Sequence, residues 1–109
     1  MQIAILSERY AESSWCLNEL VFMKNAKATS PQRVTILPIF FKVDPSEVRY
    51  TETKGRYTEA LQKLQGKRIT DPQTGDQKPR YSSDTIQNWR TTLSYVADLS
   101  GFELKQYNG

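Results

Sequence analysis

Histidine is absent from the 109-residue chain and cysteine occurs once. These scarcities exclude a Ser-His-Asp triad, a Cys-His dyad, a His-ligated metal and an intramolecular disulfide. A structural zinc site is excluded by ligand count. Long hydrophobic runs are also missing: Val34 to Phe41 is interrupted by Thr35 and Pro38 and falls far short of the roughly 20 apolar residues that cross a bilayer. Met1 to Leu6 carries no basic lead-in and stops at Ser7-Glu8-Arg9, so no secretory leader and no membrane partner are expected. With Cys16 unpaired, the chain suits a reducing compartment, the cytoplasm or the nucleus.

Charge of one sign is scarce as well. Fifteen Lys and Arg against twelve Asp and Glu leave a formal charge of +3. The densest basic spots, Lys67-Arg68 and Lys78 with Arg80, sit in a polar stretch without interleaved aromatics to stack on bases. Nucleic acid is therefore not expected as a main partner. Hydrophobic residues at 38% and charged residues at 25% fit one small folded domain, or a piece of one.

What is present reads as alternating strands and helices. Ile3 to Leu6 is apolar without alternation, the signature of a strand covered on both faces. Ser13 and Ser14 are N-cap candidates, and Cys16, Leu17, Leu20, Val21 and Met23 then recur at helical spacing to about Ala28. Val34 to Val43 predicts a second doubly covered strand, with Pro38 as the awkward residue, because it lacks a ladder donor. After the Asp44-Pro45-Ser46 turn, Tyr57, Ala60, Leu61 and Leu64 mark another helix. Gln65 to Ser83, broken by Gly66, Pro72, Gly75 and Pro79, predicts a long loop. Asp84 and Gln87 have capping-box spacing ahead of a helix lined by Ile86, Trp89, Leu93, Val96 and Ala97. Ser100-Gly101 closes it, Phe102 to Leu104 can form a short strand, and a polar tail follows. This order implies an α/β fold with a parallel sheet, whose ligands sit beyond the carboxyl ends of the strands. Ser7 to Glu19 and Lys42 to Arg49 would line that edge.

The run Ser7-Glu8-Arg9-Tyr10-Ala11-Glu12-Ser13-Ser14-Trp15-Cys16-Leu17-Asn18-Glu19-Leu20 resembles the middle of a plant-type Toll/interleukin-1 receptor (TIR) domain. Matching blocks follow in order at Leu37-Pro38-Ile39-Phe40-Phe41, Val43-Asp44-Pro45-Ser46-Glu47-Val48-Arg49, Trp89-Arg90 and Leu99-Ser100-Gly101-Phe102. The resemblance implies a flavodoxin-like parallel sheet with flanking helices, here truncated to the family's third to fifth strands, so that residues 1–109 form a partial TIR domain. By the same comparison, the first two strands, the first helix, the loop that covers the nucleotide and the closing helix are missing. The loop from Tyr50 to Gly55 and the insert before Asp84 are longer than is usual in the family.

Enzymes of this family cleave the nicotinamide–ribose bond of NAD+ in defence signalling, giving ADP-ribose or cyclic products. The resemblance therefore implies NAD+ as a substrate, no cofactor and no metal, and other TIR domains as homo- or hetero-oligomeric partners. It places the catalytic carboxylate at Glu19. An acidic residue early in a helix is also explained by the macrodipole alone, but a carboxylate beside ribose stabilises the cation that develops on bond cleavage. Trp15, one turn earlier, either walls the nucleotide pocket or packs as core. Ser7, Tyr10 and Asp44 complete the nucleotide-binding candidates, although for Asp44 shaping the turn is the favoured reading and lining the pocket the minority one. Cys16 reads as an inert buried thiol, and Trp89 as core. A non-catalytic reading remains open: the strand at Ile3 to Leu6, central in the family's sheet, would here have an unpaired edge able to recruit a partner.

Overall fold

The computed structural model describes residues 1–51 and 55–99 and the strand backbone at 102–104. In chain order the elements are β1 (Gln2–Leu6), a 3-10 turn (Tyr10–Glu12), α1 (Ser14–Thr29), β2 (Ile36–Phe41), α2 (Pro45–Arg49) and α3 (Arg56–Gln65), followed by β3 (Arg68–Thr70), β4 (Gln77–Pro79), α4 (Ser83–Ala97) and β5 (Phe102–Leu104). A three-stranded parallel sheet has the order β1-β2-β5. Its register sets Ile3 beside Leu37, Ala4 beside Pro38 and Ile5 beside Ile39. Pro38 thus lies within the central strand with its side chain fully buried. The ladder to β5 begins one residue later, at Ile39.

Parallel strands require crossovers, and the helices provide both the crossovers and the core. Ala4, Leu6 and Phe40 from the sheet cluster with Leu17 and Leu20 of α1, Tyr57 and Leu61 of α3, and Ile86, Trp89 and Leu93 of α4. Helix α4 packs on α1, α2, α3 and β2, so it is the keystone of this layer. Ser13 caps α1, its hydroxyl accepting from the Cys16 amide at 3.3 Å. Asp44 opens α2 with a full capping box: the Ser46 amide donates to Asp44 Oδ1 at 3.2 Å, and the Asp44 amide donates to Glu47 Oε2 at 3.0 Å. One such cap is worth about 1 kcal/mol.

Three expectations need correction. β1 is covered on one face only: Ala4 and Leu6 are buried, whereas Ile3 and Ile5 are 51% and 56% exposed. An unbroken apolar run does not distinguish a double cover from a strand whose second face is left open. The predicted loop from Gln65 to Ser83 contains an antiparallel hairpin, β3 with β4. Its turn is closed by the Asp76 carbonyl accepting from the Asp71 amide at 2.7 Å and the Asp71 carbonyl accepting from Gly75 at 2.8 Å, with Gly75 at φ +75°. All six hairpin strand residues are exposed, so no hydrophobic alternation announces them. Helix α4 starts earlier than the Asp84 box implies, because Ser82 is its N-cap, accepting from the Thr85 amide at 3.1 Å. The expected stop at Ser100-Gly101, the lengthened loop across 52–54 and the polar tail lie outside the described residues.

Candidate active site

Positions 15, 18, 19 and 22 follow helical i, i+3, i+4, i+7 spacing and form one stripe of α1. They bear Trp15, Asn18, Glu19 and Phe22, all exposed. With Met23 and Gln2 of β1, these residues line a groove of about 410 Å³. Trp15 and Phe22 are 72% and 71% exposed, an unusual state for two large aromatic side chains on one helix. The adjacent stripe of the helix, Leu17 and Leu20, is buried in the core. The groove is therefore apolar along its walls, with one carboxylate between two aromatic rings in the stripe.

Its floor is held from behind. Asn18 Oδ1 accepts a hydrogen bond from Trp89 Nε1 at 3.0 Å, tying the groove face of α1 to the keystone helix. Gln2 Oε1 is buried without a hydrogen-bond partner, leaving an unused acceptor at the groove. β1 has one neighbour in the sheet among the described residues, and it contributes Gln2 to the groove.

Ser7, Tyr10 and Asp44 do not line the groove. They brace the loops at the carboxyl ends of β1 and β2. The Ser7 carbonyl accepts from Tyr57 Oη at 2.7 Å and from the Tyr10 amide at 3.3 Å. Tyr10 Oη in turn donates to the Cys16 carbonyl at 3.0 Å. Burial pushes both phenols well above the ordinary tyrosine range, with neighbouring ionisable groups adding to the shift. Two neutral tyrosines thus pin the loop that leads from β1 to Trp15 and Glu19. Asp44 serves α2 as its cap, the turn-forming alternative read from the sequence. Cys16 is half-buried and unpaired, less enclosed than expected.

Gln2, Asn18, Phe22 and Met23 are the lining residues that sequence reasoning missed. The stripe Trp15, Asn18, Glu19, Phe22 was a usable signal, since it set two aromatic residues on an outward line beside the core line. Among the described residues no group of three or more His, Cys, Asp or Glu side chains is arranged to hold a metal, and no helix is long and apolar enough to cross a membrane.

A family model described as "TIR domain" matches residues 1–109. TMV resistance protein N of Nicotiana glutinosa is 37% identical over 101 residues, covering 91% of this chain and 7% of that protein. Disease resistance protein RPP5 of Arabidopsis thaliana is 36% identical over 104 residues, covering 95% of this chain and 6% of that protein. Among solved structures, the TIR domains of the activated Roq1 resistosome directly recognizing the pathogen effector XopQ align with a TM-score of 0.71 at 30% identity, over 94% of this chain and 53% of that one. The chain thus spans a small fraction of the curated relatives it matches and about half of that solved chain.

Proposed function

The chain belongs to the TIR domain family, and on that premise we propose that it carries the carboxylate half of a plant defence-signalling domain that hydrolyses NAD+ in the cytoplasm or nucleus. The carrying observation is that Glu19 and Trp15 line one groove. Trp15 offers an aromatic face to the cationic nicotinamide ring. Glu19 stabilises the positive charge that builds on the ribose as its bond to nitrogen breaks. The bonding pair leaves with nicotinamide and neutralises its ring charge. Water oxygen forms the new bond to the ribose carbon, giving ADP-ribose and a released proton, and an internal nucleophile in place of water gives a cyclic product. No cofactor or metal enters this reaction.

Purified chain incubated with NAD+ is expected to release nicotinamide, and Glu19→Ala should reduce release by about 100-fold or more. Release at parental rates from Glu19→Ala would refute the assignment.

A second reading, a non-catalytic module that pairs with complete TIR domains, is favoured by the exposed Ile3 and Ile5 on a strand with an open edge. It predicts no turnover by the chain alone and a changed rate when it is mixed with a complete TIR domain. Nicotinamide release by the chain alone that Glu19→Ala abolishes would decide for the enzyme.

A further inference from the structure

A second groove, of about 520 Å³, runs between the end of α2 and the outer face of α4, and it shares no lining residue with the Glu19 groove. Gln87, Arg90, Thr91 and Ser94 line it from α4, and their spacing of three and four residues puts them on one helix face. Arg49 and Thr51 line the opposite wall. The two guanidinium groups differ in their partners. Arg49 Nε lies 2.7 Å from Asp98 Oδ1, and its Nη2 donates to the Ala97 carbonyl at 3.1 Å. Its charge is compensated. The difference is the ion pair, which Arg90 lacks among the described residues; the Nε atoms of both arginines are buried without a well-aligned hydrogen-bond acceptor. Tyr95 also lines the groove, and the Lys24 ammonium lies 5.7 Å from its ring centroid, adding positive charge nearby.

An uncompensated guanidinium with hydroxyls one and four residues further along the helix matches an oxyanion that has several acceptor oxygens. The groove is too large for a lone halide or carboxylate and falls within the roughly 300–1,000 Å³ usual for small organic ligands. We propose that the α2–α4 groove binds a phosphorylated small molecule, with Arg90 as its anchoring cation and Thr91 and Ser94 as hydroxyl donors.

The test is a titration of the full 15N-labelled chain with pyrophosphate and, separately, with adenosine monophosphate at low salt, followed by NMR. The Arg90 Nε–H and the Thr91 and Ser94 amides should shift saturably. Arg90→Ala should weaken binding about tenfold or more, and Arg90→Lys less, because the charge remains while the fork is lost. Ser94→Ala should weaken it about threefold and serves as the deciding variant if Arg90→Ala does not fold. Glu19→Ala and Arg80→Ala should titrate like the parent. Tighter binding of adenosine monophosphate than of pyrophosphate supports an organic ligand. Equal binding would overturn that part and leave a bare anion site. Shifts centred on the hairpin residues Lys78 and Arg80, or unchanged affinity in Arg90→Ala, would overturn the proposal.

Discussion

The two faces of β1 carry similar residues and meet opposite fates. Ala4 and Leu6 are 2% and 0% exposed, whereas Ile3 and Ile5 between them are half open to solvent. α1 repeats the contrast, with Leu17 and Leu20 buried and Trp15 and Phe22 outside. Residue type alone therefore does not decide burial in this chain; the neighbours do, and α1, α3 and α4 all contribute to the packed face. The largest effects should fall there. Leu6→Ala and Trp89→Ala should each lower the unfolding free energy by about 3–5 kcal/mol, read by urea denaturation. Trp89→Ala also removes the donor to Asn18 and should loosen the Glu19 groove. Ile5→Ala should cost under about 1 kcal/mol, being a truncation on the open face. Equal costs for Leu6→Ala and Ile5→Ala would break the comparison.

A smaller effect tests how the packed face holds the loop beneath the site. Tyr57→Phe keeps the ring in the core but removes the hydrogen bond to the Ser7 carbonyl, at a cost of about 1 kcal/mol. The same phenol links stability to alkali. Its pKa in the folded chain is raised above the ordinary value of 10.0, chiefly by burial, and Tyr10 shifts the same way for the same leading reason. Above pH 10 the unfolded chain therefore loses phenolic protons that the folded chain keeps. The stabilisation is complete below pH 10 and is lost as pH rises towards the folded values. Urea midpoints measured from pH 8 to pH 11.5 should fall at the alkaline end, and Tyr57→Phe should flatten that fall. A parental midpoint that stays level across the range would count against both buried phenols.

The packed face was also the legible one. Helical periodicity at Leu17, Leu20, Leu61, Leu64, Trp89 and Leu93 announced the helices that cover the sheet, and the Ser13 cap was visible as a side chain placed ahead of such a run. The hairpin was hidden because β3 and β4 are held by backbone pairing and the turn at Asp71 to Asp76, with no buried side chain to impose a period. The start of α4 was misplaced because Ser82 and Asp84 are both competent caps by residue type, and the helix is capped by the earlier one, Ser82. Glu19 and Trp15 were found through family resemblance. Of their groove partners, Phe22 shares the helical stripe of Trp15 and Glu19 and was legible there, whereas Gln2 comes from β1 and is brought to the groove by the tertiary fold, which no local pattern encodes.

The open face supplies the smallest change in stability and the sharpest use of the contrast. Ile3 and Ile5 lie beside Leu37 and Ile39 in the register, and Phe41, 42% exposed, follows on the same face of β2. Such a surface gains by being covered at about 25 cal/mol per Å² of apolar area, whichever chain provides the cover. Replacing both isoleucines by threonine keeps β-branching, and therefore strand preference, while removing much of that gain. Ile3→Thr with Ile5→Thr should change the unfolding free energy of the monomer by no more than about 0.5 kcal/mol per site. It should, however, shift sedimentation of concentrated protein towards the monomer and weaken association with a complete TIR domain. If the double variant unfolds as readily as Leu6→Ala, the outer isoleucines belong to the core after all, and the distinction between the faces fails. If it keeps its stability and still associates like the parent, the face is inert, and any partner must be held by the backbone edge of β1 alone.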